Sequence, residues 1–261
     1  MKTALFIAGL VVAIVATPPI ARAVTAGLPR SCVGCSFSGR NLAGADLSGV
    51  AYVGADFARA DLRNAKLRHA DLAGADFRDA DLRGADFSDS KMAGIDLHGA
   101  RLAGARFDGA TMAGIDLRDA IDGISDADAQ NVLRNCVGCD LAGANLAGRD
   151  LHGIAIIGAN LRDAKARATR FQNGDLEGVN FQGADLRNAN FRGVRLCSRN
   201  SGDSDNGDGI GCAVFRDADV HGADLRGTLI CSGHEPRACT PVDAATLRTH
   251  ARSDLAGAIL P

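Results

Sequence analysis

The chain contains no tryptophan, one tyrosine and only 4% aromatic residues among its 261. A layered globular core of that size normally draws on much more aromatic surface, so a thick core is excluded and a narrow one is left. Charge of one sign is missing too. Lys and Arg total 29 against 31 Asp and Glu, a net charge of −2. That balance removes bulk electrostatic attraction to nucleic acid or to an anionic membrane as a basis for function. The apolar run Ala4 to Ala16 is 13 residues, too short to span a bilayer comfortably. No G-x-S-x-G, H-E-x-x-H or Gly-rich phosphate loop is present, and the six histidines (His69, His98, His152, His221, His234, His250) are scattered. Catalysis is not expected.

What is present is a period of five. From Phe37 to Leu117 a large apolar residue recurs at every fifth position, 17 times in succession. Two positions before each centre the residue is usually Ala, as at Ala55, Ala75 and Ala100, and the residue between is polar, often Asp. A helix turns 500° in five residues, so the centres would wander round its surface. Simple strand alternation would lose phase at every odd step. Two inward residues, one small and one large, followed by a corner fit the pattern. Gly at the corner, as at Gly44, Gly74 and Gly94, permits the bend.

A longer repeat overlies the first. Met92 to Leu97 (MAGIDL) recurs as Met112 to Leu117, an offset of 20. Sorted by 20, Phe37, Phe57, Phe77, Leu97 and Leu117 fall in one column and Leu42, Leu62, Leu82 and Leu102 in another. One coil is then four units with a square section, and stacked coils pair as parallel strands.

The unit Ala75-Asp76-Phe77-Arg78-Asp79 resembles the repeat of the pentapeptide-repeat family. The resemblance implies an all-β solenoid, a right-handed quadrilateral parallel β-helix of about eight coils. It implies no catalytic residues, because the family shares none. Some cytoplasmic members imitate DNA and occupy DNA gyrase. The near-neutral charge and an export-type leader argue against that role here.

Lys2, the apolar run and Ala21-Arg22-Ala23 have the form of a signal peptide over residues 1–23, predicting a periplasmic or secreted protein with no membrane span after cleavage. All eight Cys lie beyond it, and all sit where the repeat is interrupted: Cys32, Cys35, Cys136, Cys139, Cys197, Cys212, Cys231 and Cys239. An oxidising compartment lets them pair, although eight Cys allow 105 connectivities. The two C-x-x-C pairs are also the pattern of zinc or thiol chemistry, but 104 residues separate them.

The register divides the chain into a first solenoid over 24–120, a helical connector over 121–135 and a second solenoid over 136–230. A Cys-bounded loop and C-terminal cap follow over 231–261. Ser125 is placed to N-cap a helix over 126–134, and Thr240-Pro241 to start a capping helix over 241–252. Arg134 to Cys139 repeats Arg30 to Cys35, so the second solenoid reads as a duplication, continuous with the first or abutting it.

Within the Cys-bounded loop 197–212, Asp203, Asp205, Asn206 and Asp208 resemble a calcium loop, with Gly207 breaking the spacing and the later Glu missing. The same run fits a solvated loop without metal. Asp56, Asp76, Asp96 and Asp116 form an acidic ladder, with Arg78, His98 and Arg118 positioned to offset it. These readings predict an exported scaffold with a structural or protein-binding role, whose partner is another protein or a second copy, with no cofactor required. The alternatives are a calcium-stabilised envelope or adhesive module and a thiol-active C-x-x-C protein.

Overall fold

The structure, a computed structural model, describes residues 28–134, 136–199, 210–231, 239–250 and 255–261. The leader 1–23 and the residues Asp203, Asp205, Asn206 and Asp208 lie outside the described residues.

One unit shows how the repeat works. Ala75 and Phe77 point inward and are fully buried. The Phe77 N–H donates to Asp96 O in the next coil at 2.7 Å, and the Asp76 N–H donates to Ala55 O in the previous one at 2.9 Å. The corner closes when the Ala80 N–H donates to Phe77 O at 3.0 Å, with Asp79 at φ 57°. The left-handed corner residue is Gly in most units and Asp, Asn, His, Arg or Ala in the rest. The carbonyl of the first corner residue accepts from the preceding coil, as Arg78 O does from the Arg59 N–H at 2.8 Å, but its amide has no ladder partner. That amide is taken by the side chain two residues back, as Arg78 N–H donates to Asp76 Oδ1 at 2.9 Å and Gln182 N–H to Asn180 Oδ1 at 3.0 Å. This local closure explains why Asp and Asn precede the centre so often.

Four faces result. Face 1 carries the centres Phe37, Phe57 and Phe77, face 2 Leu42 and Leu62, face 3 Leu47 and Leu67, and face 4 Tyr52 and Leu72. On face 1 nine rungs follow one another at Ser36, Asp56, Asp76, Asp96, Asp116, Asp140, Asn160, Asn180 and Val214, all parallel. The architecture is a right-handed quadrilateral parallel β-helix. Its interior is one core in which like rings stack: Phe57 on Phe77 at 4.9 Å, Phe87 on Phe107 at 5.3 Å and Phe181 on Phe215 at 5.2 Å. Ala166, small for a centre, is still fully buried.

The column is continuous through three lengthened coils. The first pairs Asp116 with Asp140, the second Asn180 with Val214 and the third Asp224 with Ile259, steps of 24, 34 and 35 residues in place of 20. In the first, helix α1 (Asp126–Leu133) replaces the strand on face 3, with the Ser125 hydroxyl accepting the Asp128 N–H. Ala129, Val132 and Leu133 close the core there.

The second excursion is the hairpin β1 (Arg195–Arg199) and β2 (Ile210–Cys212). The third leaves through β3 (Leu229–Cys231) and returns through β4 (Cys239–Pro241). The four strands form one sheet in the order β2-β1-β3-β4. Helix α2 (Ala244–His250) starts later than the sequence suggests, because Thr240 and Pro241 are held in β4 opposite Ile230 and Leu229. Asp243 takes the capping position instead, accepting the Thr246 N–H at 2.7 Å. The chain then lays a further rung, with Leu225 N–H donating to Ile259 O at 2.9 Å.

Candidate functional site

Three of the faces are studded with charge, and most of that charge is paired. The spacing Asp-x-Arg lets an arginine fold back on the carboxylate of its own rung: Arg63 on Asp61 at 2.6 Å, Arg83 on Asp81 at 2.5 Å and Arg187 on Asp185 at 2.6 Å. Many also reach the next coil, as Arg78 pairs with Asp76 at 2.5 Å and with Asp96 at 3.5 Å. These guanidinium hydrogen bonds hold the carboxyls of Asp61, Asp76, Asp81, Asp185 and Asp224 below the ordinary carboxylate range, against a smaller opposing effect of burial. The acidic ladder of face 1 is therefore compensated. Arg118 spans Asp116 and Asp140, and the Asp56 carboxylate accepts from Ser36 Oγ and from the Ala58 amide.

A groove of about 540 Å³ runs along the corner after face 3, lined by His152, Gln172, Arg192 and Arg226. Its polar side chains are committed as well: the Arg226 and Arg192 guanidiniums to Asp224 at 2.8 and 3.9 Å, and the His152 ring to Asp150 at 3.0 Å. His69 and His98 stand 3.8 and 3.7 Å from Asp89 and Asp119. Among the described residues no group of three or more His, Cys, Asp or Glu is arranged to hold a metal ion.

The corner between faces 4 and 1 is different. Its first residue is Val33, Val53, Ala73, Ala93, Ala113, Val137 and Ile157 in seven successive coils, and each is followed by Gly. The stacking is direct: the amides of Gly34, Gly54, Gly74, Gly94, Gly114 and Gly138 donate to the carbonyls of Val53, Ala73, Ala93, Ala113, Val137 and Ile157. Val33 is 85% exposed and Val137 52%, and both belong to the few large apolar residues that face solvent among the described residues. The position before the centre on face 4 is also depleted of charge, with Ser31, Ala51, Thr111 and Ala155 alongside Asp71 and Lys91. Glu177 ends the apolar row, beside the Asp175–Arg195 ion pair at 2.8 Å.

The cysteines gather on this same edge. The structure pairs Cys32 with Cys35, Cys136 with Cys139, Cys197 with Cys212 and Cys231 with Cys239. The first two bridges each clasp one corner turn, with Val33 and Val137 at the tips. Cys136 and Cys139 are fully buried, so a disulfide there has no exposed sulfur to exchange.

Sequence reasoning missed Arg149. It stands two before the centre Leu151, an inward slot held by Ala, Val, Ile, Ser or Thr in most units, and is only 9% exposed. Its guanidinium donates to Ile121 O and Ile124 O at 2.8 Å each and meets Asp126 at 3.3 Å, fixing the turn into α1. The large cation in a small-residue slot was the available signal.

A square parallel β-helix built from five-residue units, without an assembled catalytic cluster among its described residues, is the class that fold and surface define. Family models for pentapeptide repeats match eight copies over residues 41–79, 55–94, 80–119, 135–173 and 159–197. The chain belongs to the pentapeptide-repeat family. Similar solved structures include HetL, a pentapeptide repeat protein involved in heterocyst differentiation regulation from the cyanobacterium Nostoc sp. strain PCC 7120. It is 25% identical over 80% of this chain and 90% of that one, with a TM-score of 0.36. Full-length QnrB1, a plasmid-mediated fluoroquinolone resistance protein, is 25% identical over 77% and 81%, at 0.33. Rfr23 from the cyanobacterium Cyanothece 51142 is 17% identical over 79% and 90%, at 0.19. Among curated proteins none matches. Family membership rests on the repeat match and the coil geometry.

Proposed function

We propose that this protein is an exported, non-catalytic scaffold, periplasmic or secreted, that binds a protein through the edge between faces 4 and 1. The observation that carries the reading is the apolar row from Val33 to Ile157, exposed at Val33, Val53, Ala93, Ala113 and Val137 and half-buried at Ala73 and Ile157, on a column whose other faces are charge-paired. Nothing in the core requires valine at Val33 or Val137, since both side chains face solvent. Exposed apolar strips are costly to leave bare and mark contact surfaces. Export is supported by the leader pattern and by eight cysteines at interruptions of the repeat, consistent with an oxidising compartment.

The test is capture from an envelope extract, comparing the wild type with Val53→Arg and with Ser48→Arg on the far edge of face 4. A partner lost only with Val53→Arg supports the reading. A partner kept by that variant and lost with Ser48→Arg moves the site off the strip and overturns it.

A further inference from the structure

We infer that the Cys231–Cys239 bridge is a site of thiol exchange, at which a small thiol attaches to Cys239 while Cys231 leaves as a thiolate held by Arg195. The exchange is independent of the binding edge proposed above.

Arg195 is fixed from two sides. Its amide donates to Gly174 O at 2.9 Å, and its rung lies between Asp175 of the preceding coil and Leu229 of β3. The guanidinium Nη1 donates to Asp175 Oδ2 at 2.8 Å, and the Nε–H donates to Cys231 Sγ at 2.9 Å. Both side chains of the ion pair are largely buried, at 15% and 16% exposed. A divalent sulfur is a weak acceptor and gains little from such a donor. A thiolate gains more, because a charge-assisted hydrogen bond is roughly twice as strong as a neutral one and a buried anion without a cation is penalised. The arginine is thus placed to serve the sulfur when the bridge is open.

The neighbouring bridge is a control within the same sheet. Cys197–Cys212 and Cys231–Cys239 each join directly opposed residues of antiparallel strands, β1 with β2 and β3 with β4. Each has one fully buried cysteine, Cys197 or Cys231, and one half-buried cysteine, Cys212 or Cys239. They differ at the buried sulfur, since among the described residues no cation donates to Cys197. Of the C-x-x-C bridges, Cys136–Cys139 is buried at both ends, and Cys32–Cys35 is half-buried at both without a cationic donor.

Exchange therefore has a direction. The attacking thiol loses its proton to solvent, and its sulfur bonds to Cys239 Sγ, the less buried end. The Cys231–Cys239 bond breaks, and its electron pair leaves on Cys231 Sγ against the Arg195 Nε–H. A second thiol then attacks the sulfur of the adduct, forming the small-molecule disulfide and releasing Cys239. Two thiols are oxidised as the bridge is reduced to two thiols. Stabilising the leaving thiolate speeds the first step. Opening removes the covalent tie between β3 and β4, the strand that leads into the C-terminal cap.

The test uses 2-mercaptoethanol, small and uncharged, on the native protein. Samples are quenched over time with excess iodoacetamide and mapped by mass spectrometry. The expected first product carries the thiol on Cys239 and the alkyl group on Cys231, formed at least about tenfold faster than Cys197–Cys212 opens. Arg195→Met with Asp175→Asn, which removes the cation together with its counter-charge, should slow it to the rate of Cys197–Cys212. Opening of the buried Cys136–Cys139 bridge reports unfolding of any variant, and the comparison of the two hairpin bridges needs only the wild type. Adduct on Cys231, equal rates at the two hairpin bridges, or no exchange at Cys239 overturns the inference. So does an unchanged rate in the folded double variant.

Discussion

Gln130 donates its side-chain amide to the carbonyl oxygen of Asp150 at 2.7 Å, where a strand amide donates in the ordinary coils. Helix α1 has removed the strand that would lie between Arg106 and Asp150 on face 3. Its side chains take over the missing ladder. Asn131 Nδ2 donates to Ala105 O at 3.0 Å, and the Asp126 carboxylate accepts the Asp150 N–H at 3.1 Å. A helix is thereby spliced into a β-column without leaving these backbone groups unpaired.

Gln130→Ala and Asn131→Ala should each cost about 1 kcal/mol, because each strands a part-buried carbonyl. Chemical denaturation measures it. Equal stability in both variants would show that solvent satisfies those carbonyls.

Arg149→Leu should cost more, about 3 kcal/mol, since it leaves Ile121 O and Ile124 O without their donor and Asp126 without its cation. Arg149→Lys should recover only part, because a single ammonium cannot reach both carbonyls with the geometry of the fork. Hydrogen exchange should show the loss first in residues 121–134.

Gly99 and Gly94 make a matched pair. Both are left-handed, at φ 69° and 67°. A Cβ on Gly94 meets nothing within 4 Å, whereas on Gly99 it falls 2.6 Å from Asp79 Oδ1 in the preceding coil. Gly94→Ala should cost about 1 kcal/mol, the backbone strain alone. Gly99→Ala should cost more, and adding Asp79→Gly should bring it back to the Gly94 value. Melting temperatures of the three variants decide it.

Acid should unfold the protein progressively. Hydrogen bonding to Arg170 draws the Asp150 carboxyl down to about 2, with His152 helping and burial opposing. Asp61, Asp76, Asp81, Asp185 and Asp224 are lowered likewise by their arginines. Each folded pKa lies below the unfolded value near ~3.9, so this stabilisation is whole above about pH 4 and is lost as pH falls through the folded values towards 2. Melting temperature should be flat from pH 7 to about 5 and fall steeply below 4. A midpoint unchanged at pH 2.5 would mean that these pairs add nothing.

The sequence by itself determined the coil. A side chain alternating small, polar and large every five residues can bury two of them only by turning a corner after each pair, and the 20-residue echo makes four corners a turn. It also marked the eight cysteines and Ser125 as interruptions and a cap. The tertiary structure decided what distance in the chain conceals. Asp116 pairs with Asp140 and Phe181 stacks on Phe215, so one column runs through insertions that read as breaks. Val33 and Val137 lie on the same edge although 104 residues separate them, because that edge is formed by stacking and no local pattern contains it. Helix α1 keeps the column intact through Gln130, Asn131 and Arg149, whose partners lie 20 to 28 residues away. Local spacing fixes the turn of a solenoid, whereas register between coils is set by which backbone groups remain to be paired.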